Sequence, residues 1–161
     1  MNKILRISMI AVLALIANFS FAGVSTIDFT KLTVTTVSDE NNKENNGYTF
    51  TSGDFTFTAK KNNGSTQPTQ NDNSKDLRHY AKNSITISGA KMTKMVFTIS
   101  NAGKSRWAKV TASEGTMTVD QTKGTATWEN TVGSSSVTLT VGDQNEYGTE
   151  AKTKAGQFNV D

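Results

Sequence analysis

The chain predicts an all-β fold, an antiparallel β-sandwich or jelly roll in one domain, and three observations carry that reading. Apolar and polar residues alternate with a period of two along most of the chain. Residues 23–161 hold all 25 threonines and the single proline. Clusters of Asn, Gly, Ser and Asp interrupt the alternation at short intervals. Alternation over about 4–8 residues, with β-branched residues on the polar side, marks strands that bury one face and wet the other.

Taken in order, VSTIDFTKLTVTTV (24–37) alternates and predicts a first strand, and NNKENNG (41–47) breaks it. GYTFT (47–51) and DFTFTAK (54–60) follow as a pair, with Phe55, Phe57 and Ala59 on one side and Thr56 and Thr58 on the other. The polar, Asn-rich stretch 61–74 reads as a mobile connecting loop. Strands are predicted near 75–81, 84–88, 92–99, 107–112, 115–120, 125–129, 136–141 and 156–160. The breaks NAGKS (101–105), QTKG (121–124), VGSSS (132–136) and GDQNEYG (142–148) separate the later ones. Trp128 shares a face with Ala126 and Tyr48 with Phe50, which places both aromatics in the core.

The first 22 residues carry a different pattern. Lys3 and Arg6 precede the almost uncharged run Ile7 to Phe19, and Ser20 and Ala22 set small residues at −3 and −1 of a cleavage site. That is the plan of a secretory signal peptide, shorter than the roughly 20 apolar residues that span a bilayer. Cleavage after Ala22 leaves 139 residues, enough for one domain with a real core. The leader removes two of the 17 basic residues and none of the 14 acidic ones, so the net charge falls from +3 to +1. Such a balance points to neither nucleic acid nor an anionic membrane as partner. The chain has no cysteine. Disulfides, thiolate chemistry and a lipid-bearing cysteine behind the leader are excluded with it, so the protein is expected to be exported and not a lipoprotein.

Few residues suit catalysis. DLRHYAKNSITIS (76–88) holds the one histidine. Strand parity sets Leu77, His79 and Ala81 on one face and Asp76, Arg78 and Tyr80 on the other, so His79 is expected against the interior rather than in a Ser–His–Asp array. No G-x-S-x-G elbow is present. Asp54, Glu114, Asp120 and Glu129 are acids whose pairing in space the sequence leaves open; solvated turns and strand ends are the preferred reading. SDENN, NDNSKD and GDQNE are acidic and Asn-rich but lack the spacing of a known calcium loop. Exposed aromatics remain: a flat ring covers a pyranose while polar neighbours bond its hydroxyls. Tyr80, Trp107 and Tyr147 are the candidates, with Trp107 in KSRWAK the more exposed of the two tryptophans.

The run from Leu77 to Ser88, followed by KMTKMVFT (91–98), resembles a β-sandwich module of exported proteins from anaerobic gut Gram-negative bacteria. Leu77, Arg78, Tyr80, Asn83 and Ser84 match its first part and Lys91 through Thr98 its second, while GDFTFTAKKNNGSTQPT and TWENTVGSSSVTLTV resemble its flanking strands. His79 stands where that pattern has an apolar residue, and AGQFNVD is less apolar than its closing strand. The resemblance implies surface attachment or glycan handling and implies no catalytic residue.

The expectation is therefore an exported, non-enzymatic module that binds or adheres to glycan or another cell-surface polymer. Arg78, Tyr80, Trp107 and Tyr147 are its candidate contacts. The alternative is a structural surface protein that assembles through sheet edges, its N-terminal segment adding as a strand to a neighbour. No catalytic residue, metal or cofactor is expected, nor insertion in a membrane once the leader is removed.

Overall fold

The computed structural model describes residues 25–161, so the leader read over 1–22 lies outside the described residues. Nine strands run through them: β1 (Gly47–Ser52), β2 (Phe55–Lys60), β3 (Thr69–Gln70), β4 (Leu77–Tyr80), β5 (Ser84–Thr98), β6 (Ala108–Ala112), β7 (Thr116–Asp120), β8 (Thr125–Asn145) and β9 (Gln157–Val160). The remainder is loop and three single 3-10 turns, so the all-β reading holds. Every strand ladder is antiparallel.

Two sheets result. The larger runs β1-β2-β5-β8-β6 with β7 also paired to β8, and the smaller runs β3-β4-β9. β8 is the spine of the larger sheet: β5 lies along one side of it, and β7 and then β6 line the other. Alternation decides which way each strand faces. Phe57 and Ala59 of β2, Ile85 and Ile87 of β5, and Val137, Leu139 and Val141 of β8 turn inward. There they join Leu77, Phe158 and Val160 of the smaller sheet in one apolar cluster. Trp128 is fully buried and its indole N–H donates to the Glu114 carbonyl at 2.7 Å, which satisfies the one polar atom it brings inside. Phe50 is half-buried and stacks on Phe57 at 4.9 Å between ring centres.

Besides the short strand β3 inside the stretch 61–74 that reads as loop, two features depart from the sequence reading. The segment 24–37 is not a strand in its described part. Asp28 caps a 3-10 turn at Phe29–Lys31, and Phe29 is buried edge-on to Phe57, 5.5 Å between centres, with Phe50 at 6.0 Å. Only Val37 reaches a ladder, as an isolated bridge to Gly47. The alternation there was real, but a short polar cap and an aromatic plug outweighed it.

Second, 84–88 and 92–99 fall on one strand, as do 125–129 and 136–141, because what separates each pair is an irregularity in the β5–β8 register rather than a turn. Gly89 takes φ +148 where a Cβ would sit 2.0 Å from the Asp54 carbonyl oxygen. Across from it, Asn130 accepts from the N–H groups of Val132 and Gly133 at 3.1 and 3.2 Å and bends β8 without ending it. Turn chemistry inside a long pair kinks the ribbon rather than reversing it.

Candidate functional site

Strand β4 shows the predicted parity: Leu77 and His79 are buried, Arg78 and Tyr80 half-buried. His79 is only 1% exposed and both ring nitrogens are engaged. Its Nδ1 lies 2.8 Å from the Phe158 carbonyl, which can only accept, so Nδ1 carries the hydrogen. Nε2 is then the acceptor for the Tyr48 hydroxyl. Burial pulls the His79 pKa down to about 4, against a smaller opposing contribution from the Phe158 carbonyl. Burial likewise pushes the Tyr48 phenol up. This histidine is a neutral hydrogen-bonding link between the two sheets.

The other face of β4 is not a free contact surface at Arg78. Asp76 is fully buried and Arg78 Nε lies 3.3 Å from its Oδ2, with the Arg78 side chain 26% exposed. Burial pushes the Asp76 carboxyl up, but the hydroxyls of Ser74 and Ser100 and the guanidinium of Arg78 outweigh it and hold the pKa below the usual value. Ser100 in turn accepts from the Gly103 N–H, and its own N–H donates to the Asn159 carbonyl. Arg78 thus closes a polar knot between β4, β9 and the loop 100–105. Tyr80 opens a turn in which its N–H donates to Asn83 Oδ1 at 2.8 Å.

Trp107 corrects the sequence reading outright, being 2% exposed. The chain after β8 folds back over it: the N–H groups of Glu146 and Tyr147 both donate to the Trp107 carbonyl, and the Tyr147 ring packs edge-on at 5.9 Å. A cavity of about 30 Å³ lies beside the pair, lined also by Met117, Val119 and Ala126. The indole Nε1 has no protein partner. Tyr147 is half-buried. The four sequence candidates therefore fall into two pairs, Arg78 with Tyr80 and Trp107 with Tyr147. They meet only through Gln157, which pairs with Tyr80 and bridges to Trp107. No exposed aromatic platform forms from them.

The weighed acids also part company. Glu129 pairs with Lys94 at 2.8 Å, Asp120 with Lys123 at 3.3 Å, and Glu114 accepts from Ser134 and Asn130. Among the described residues no three His, Asp or Glu side chains come together.

What the strands do assemble is an uncharged hydroxyl face. On the outer side of the larger sheet, the ladders place Thr49, Thr58, Thr86 and Thr138 in one cross-strand row. Thr51, Thr56, Ser88 and Ser136 form the next row. Eight consecutive outward positions over four strands thus carry hydroxyls, with neither a charge nor a large apolar side chain. Strand spacing of about 4.8 Å and an alternate-residue repeat of about 6.7 Å set the lattice. Neighbouring hydroxyls bond across it, Thr86 to Thr138 at 2.9 Å and Thr49 to Thr58 at 3.3 Å. The signal was present in the sequence as T-x-T and T-x-S steps in YTFTS, FTFTA, ITIS and VTLT. Locally it reports only strands, and the register that aligns the steps into rows is a long-range property.

Comparison with known proteins gives no match to this chain, whether to a family model, a curated protein or a solved structure.

Proposed function

We propose that the protein is an exported, non-enzymatic β-sandwich module that binds or adheres to a glycan or another surface polymer. The observation that carries this reading is the hydroxyl face of the larger sheet. Threonine presents a donor, an acceptor and a methyl group together, so a row of them bonds sugar hydroxyls while the methyls cover C–H surfaces. A lattice repeated over four strands suits a ligand that is itself repetitive, because weak identical contacts multiply through effective concentration. Its lack of charge favours a neutral polymer over nucleic acid or an anionic lipid surface. Export rests on the residues of the leader, a positive start, an apolar run and small residues at the cleavage site.

Assembly through sheet edges is the less favoured reading. Phe29 anchors the N-terminal segment in the protein's own core, and Gln70 bonds the Phe29 and Leu32 carbonyls and the Val34 N–H. The strand that was to be donated to a neighbour is occupied at home.

The test is retention on insoluble neutral polysaccharides. The intact protein is expected to be retarded on at least one, and Thr86→Lys, which places a charge amid the lattice at a half-exposed position, is expected to abolish the retardation without loss of fold. Passage through every matrix, or unchanged retention of the Thr86→Lys variant, would count against the face.

A further inference from the structure

Beyond the hydroxyl face lies a cleft that its third row leads into. Thr140 of β8 faces outward in register with Ser84 and Thr111, one step along from Thr138, in a row that ends at Lys60 of β2, and it also lines this cleft. The other walls are Asn62 and Asn63 in the loop after β2 and Lys82 in the turn before β5. Gly142 and Asp143 complete it, and the depression is shallow and open to solvent, with a volume of about 550 Å³.

The walls are fixed rather than merely adjacent. Asn83 is fully buried beneath them; its Oδ1 accepts from the Tyr80 N–H, and its Nδ2 donates to the carbonyls of Thr66 at 2.9 Å and Lys61 at 3.3 Å. Asn62 Nδ2 crosses the rim to Ser84 Oγ at 2.8 Å and the Lys82 carbonyl at 3.3 Å. The third wall joins by two backbone bonds, Lys82 N–H to the Val141 carbonyl and Val141 N–H to the Asn83 carbonyl. Gly142 leaves the β8 side bare, since a Cβ there would stand 2.8 Å from the Lys109 carbonyl oxygen.

Backbone conformation marks the same place. Among the described residues three non-glycine residues have positive φ, and two of them, Asn62 at 49° and Lys82 at 69°, line this cleft. Asparagine tolerates that region, but lysine occupies it at a conformational cost that glycine would avoid. Neither Lys82 nor Asp143 takes part in an ion pair among the described residues.

We propose that this cleft binds one neutral, polyhydroxylated sugar unit of the polymer that lies on the hydroxyl face, a proposal that rests on the glycan reading above. One cation and one anion share the site, so its lining carries no net charge with which to select a charged sugar. A neutral hexose satisfies both: adjacent hydroxyls donate to the Asp143 carboxylate, and ring or hydroxyl oxygens accept from Lys82 and the Asn63 amide.

The experiment is a titration of the intact, isotope-labelled protein followed by amide resonances. Cellotriose, maltotriose and mannotriose serve as neutral probes and trigalacturonate as the anionic one. At least one neutral trisaccharide is expected to shift Asn63, Lys82, Gly142 and Asp143 at millimolar concentration, with trigalacturonate weaker by tenfold or more. Asp143→Ala should weaken the neutral sugar at least tenfold. Lys82→Gly should weaken it similarly while holding or raising the melting temperature, because glycine relieves the left-handed backbone. Tighter binding of trigalacturonate, shifts that map elsewhere, or no shift with any probe overturns the proposal. A protein retained on a polysaccharide matrix without cleft shifts refutes the cleft and leaves the face standing. Cleft shifts without retention refute the face and leave the cleft.

Discussion

The Tyr48 hydroxyl and His79, 31 residues apart, meet in a hydrogen bond that neither solvent nor any charged side chain reaches, and it joins the first strand of the larger sheet to the middle strand of the smaller. Because its folded pKa of about 4 lies below the ordinary 6.5, the unfolded chain binds the proton more readily. The stability that His79 contributes is fully present above pH 6.5 and declines as pH falls toward 4. The size of the effect is about 3 kcal/mol. Urea unfolding between pH 7 and 4 should show that decline, and the double variant Tyr48→Phe, His79→Leu should flatten it. A wild-type profile flat across this window would contradict the neutral buried link.

The Asp76 knot acts in a lower window. Its folded pKa is depressed, so its contribution is present above the ordinary carboxylate range and is lost as pH drops through the folded value. Asp76→Ala removes the buried acceptor of two hydroxyls and a guanidinium, and should cost about 3–5 kcal/mol at pH 7. Arg78→Ala, which leaves the fully buried carboxylate without its counter-charge, should cost as much or more. Thermal unfolding of both variants orders them.

Tyr80 and His79, adjacent on β4 and facing opposite ways, should differ in what their removal costs, as their burial dictates. His79→Ala empties a site 1% exposed and strands the Tyr48 hydroxyl, so its melting temperature should fall further than that of Tyr80→Ala. If Tyr80→Ala is the more damaging, the half-buried ring is an anchor of the turn that holds Asn83.

Gln70 ties the N-terminal segment to the smaller sheet through the carbonyls of Phe29 and Leu32 and the N–H of Val34, and it also donates to the Lys75 carbonyl. Gln70→Ala should cost about 1–3 kcal/mol. Hydrogen exchange should speed up at Val34 first, while the β5–β8 ladder keeps its protection.

The strands were legible because their evidence is local: side-chain alternation reports which face is wet, and it placed Trp128, Tyr48 and His79 inside. The failures share a cause. VSTIDFTKLTVTTV alternates as well as any strand, but whether it pairs depends on Phe29 finding Phe57 and on Gln70 arriving from 36 residues beyond Val34. VGSSS carries every mark of a turn, yet inside a ribbon already paired to β5 it relaxes into a bulge. Trp107 beside a loop reads as exposed until residues 146–147 fold over it. The hydroxyl rows and the cleft depend on register between strands and on a buried Asn83 bonding three backbone segments, and no local pattern reports either.

β9 pairs with β4, Leu77 opposite Val160 and His79 opposite Phe158, across most of the described sequence. A growing chain that has not yet delivered residues 157–160 lacks the carbonyl that orients His79, the Phe158 ring beside Phe97, and one side of the three-stranded sheet. Native structure must then wait for the last strand to be made, since contacts this distant in sequence form late. Before that moment the polypeptide is incompletely closed and free of disulfide shortcuts, so an unfinished chain stays pliable until residues 157–160 dock beside β4.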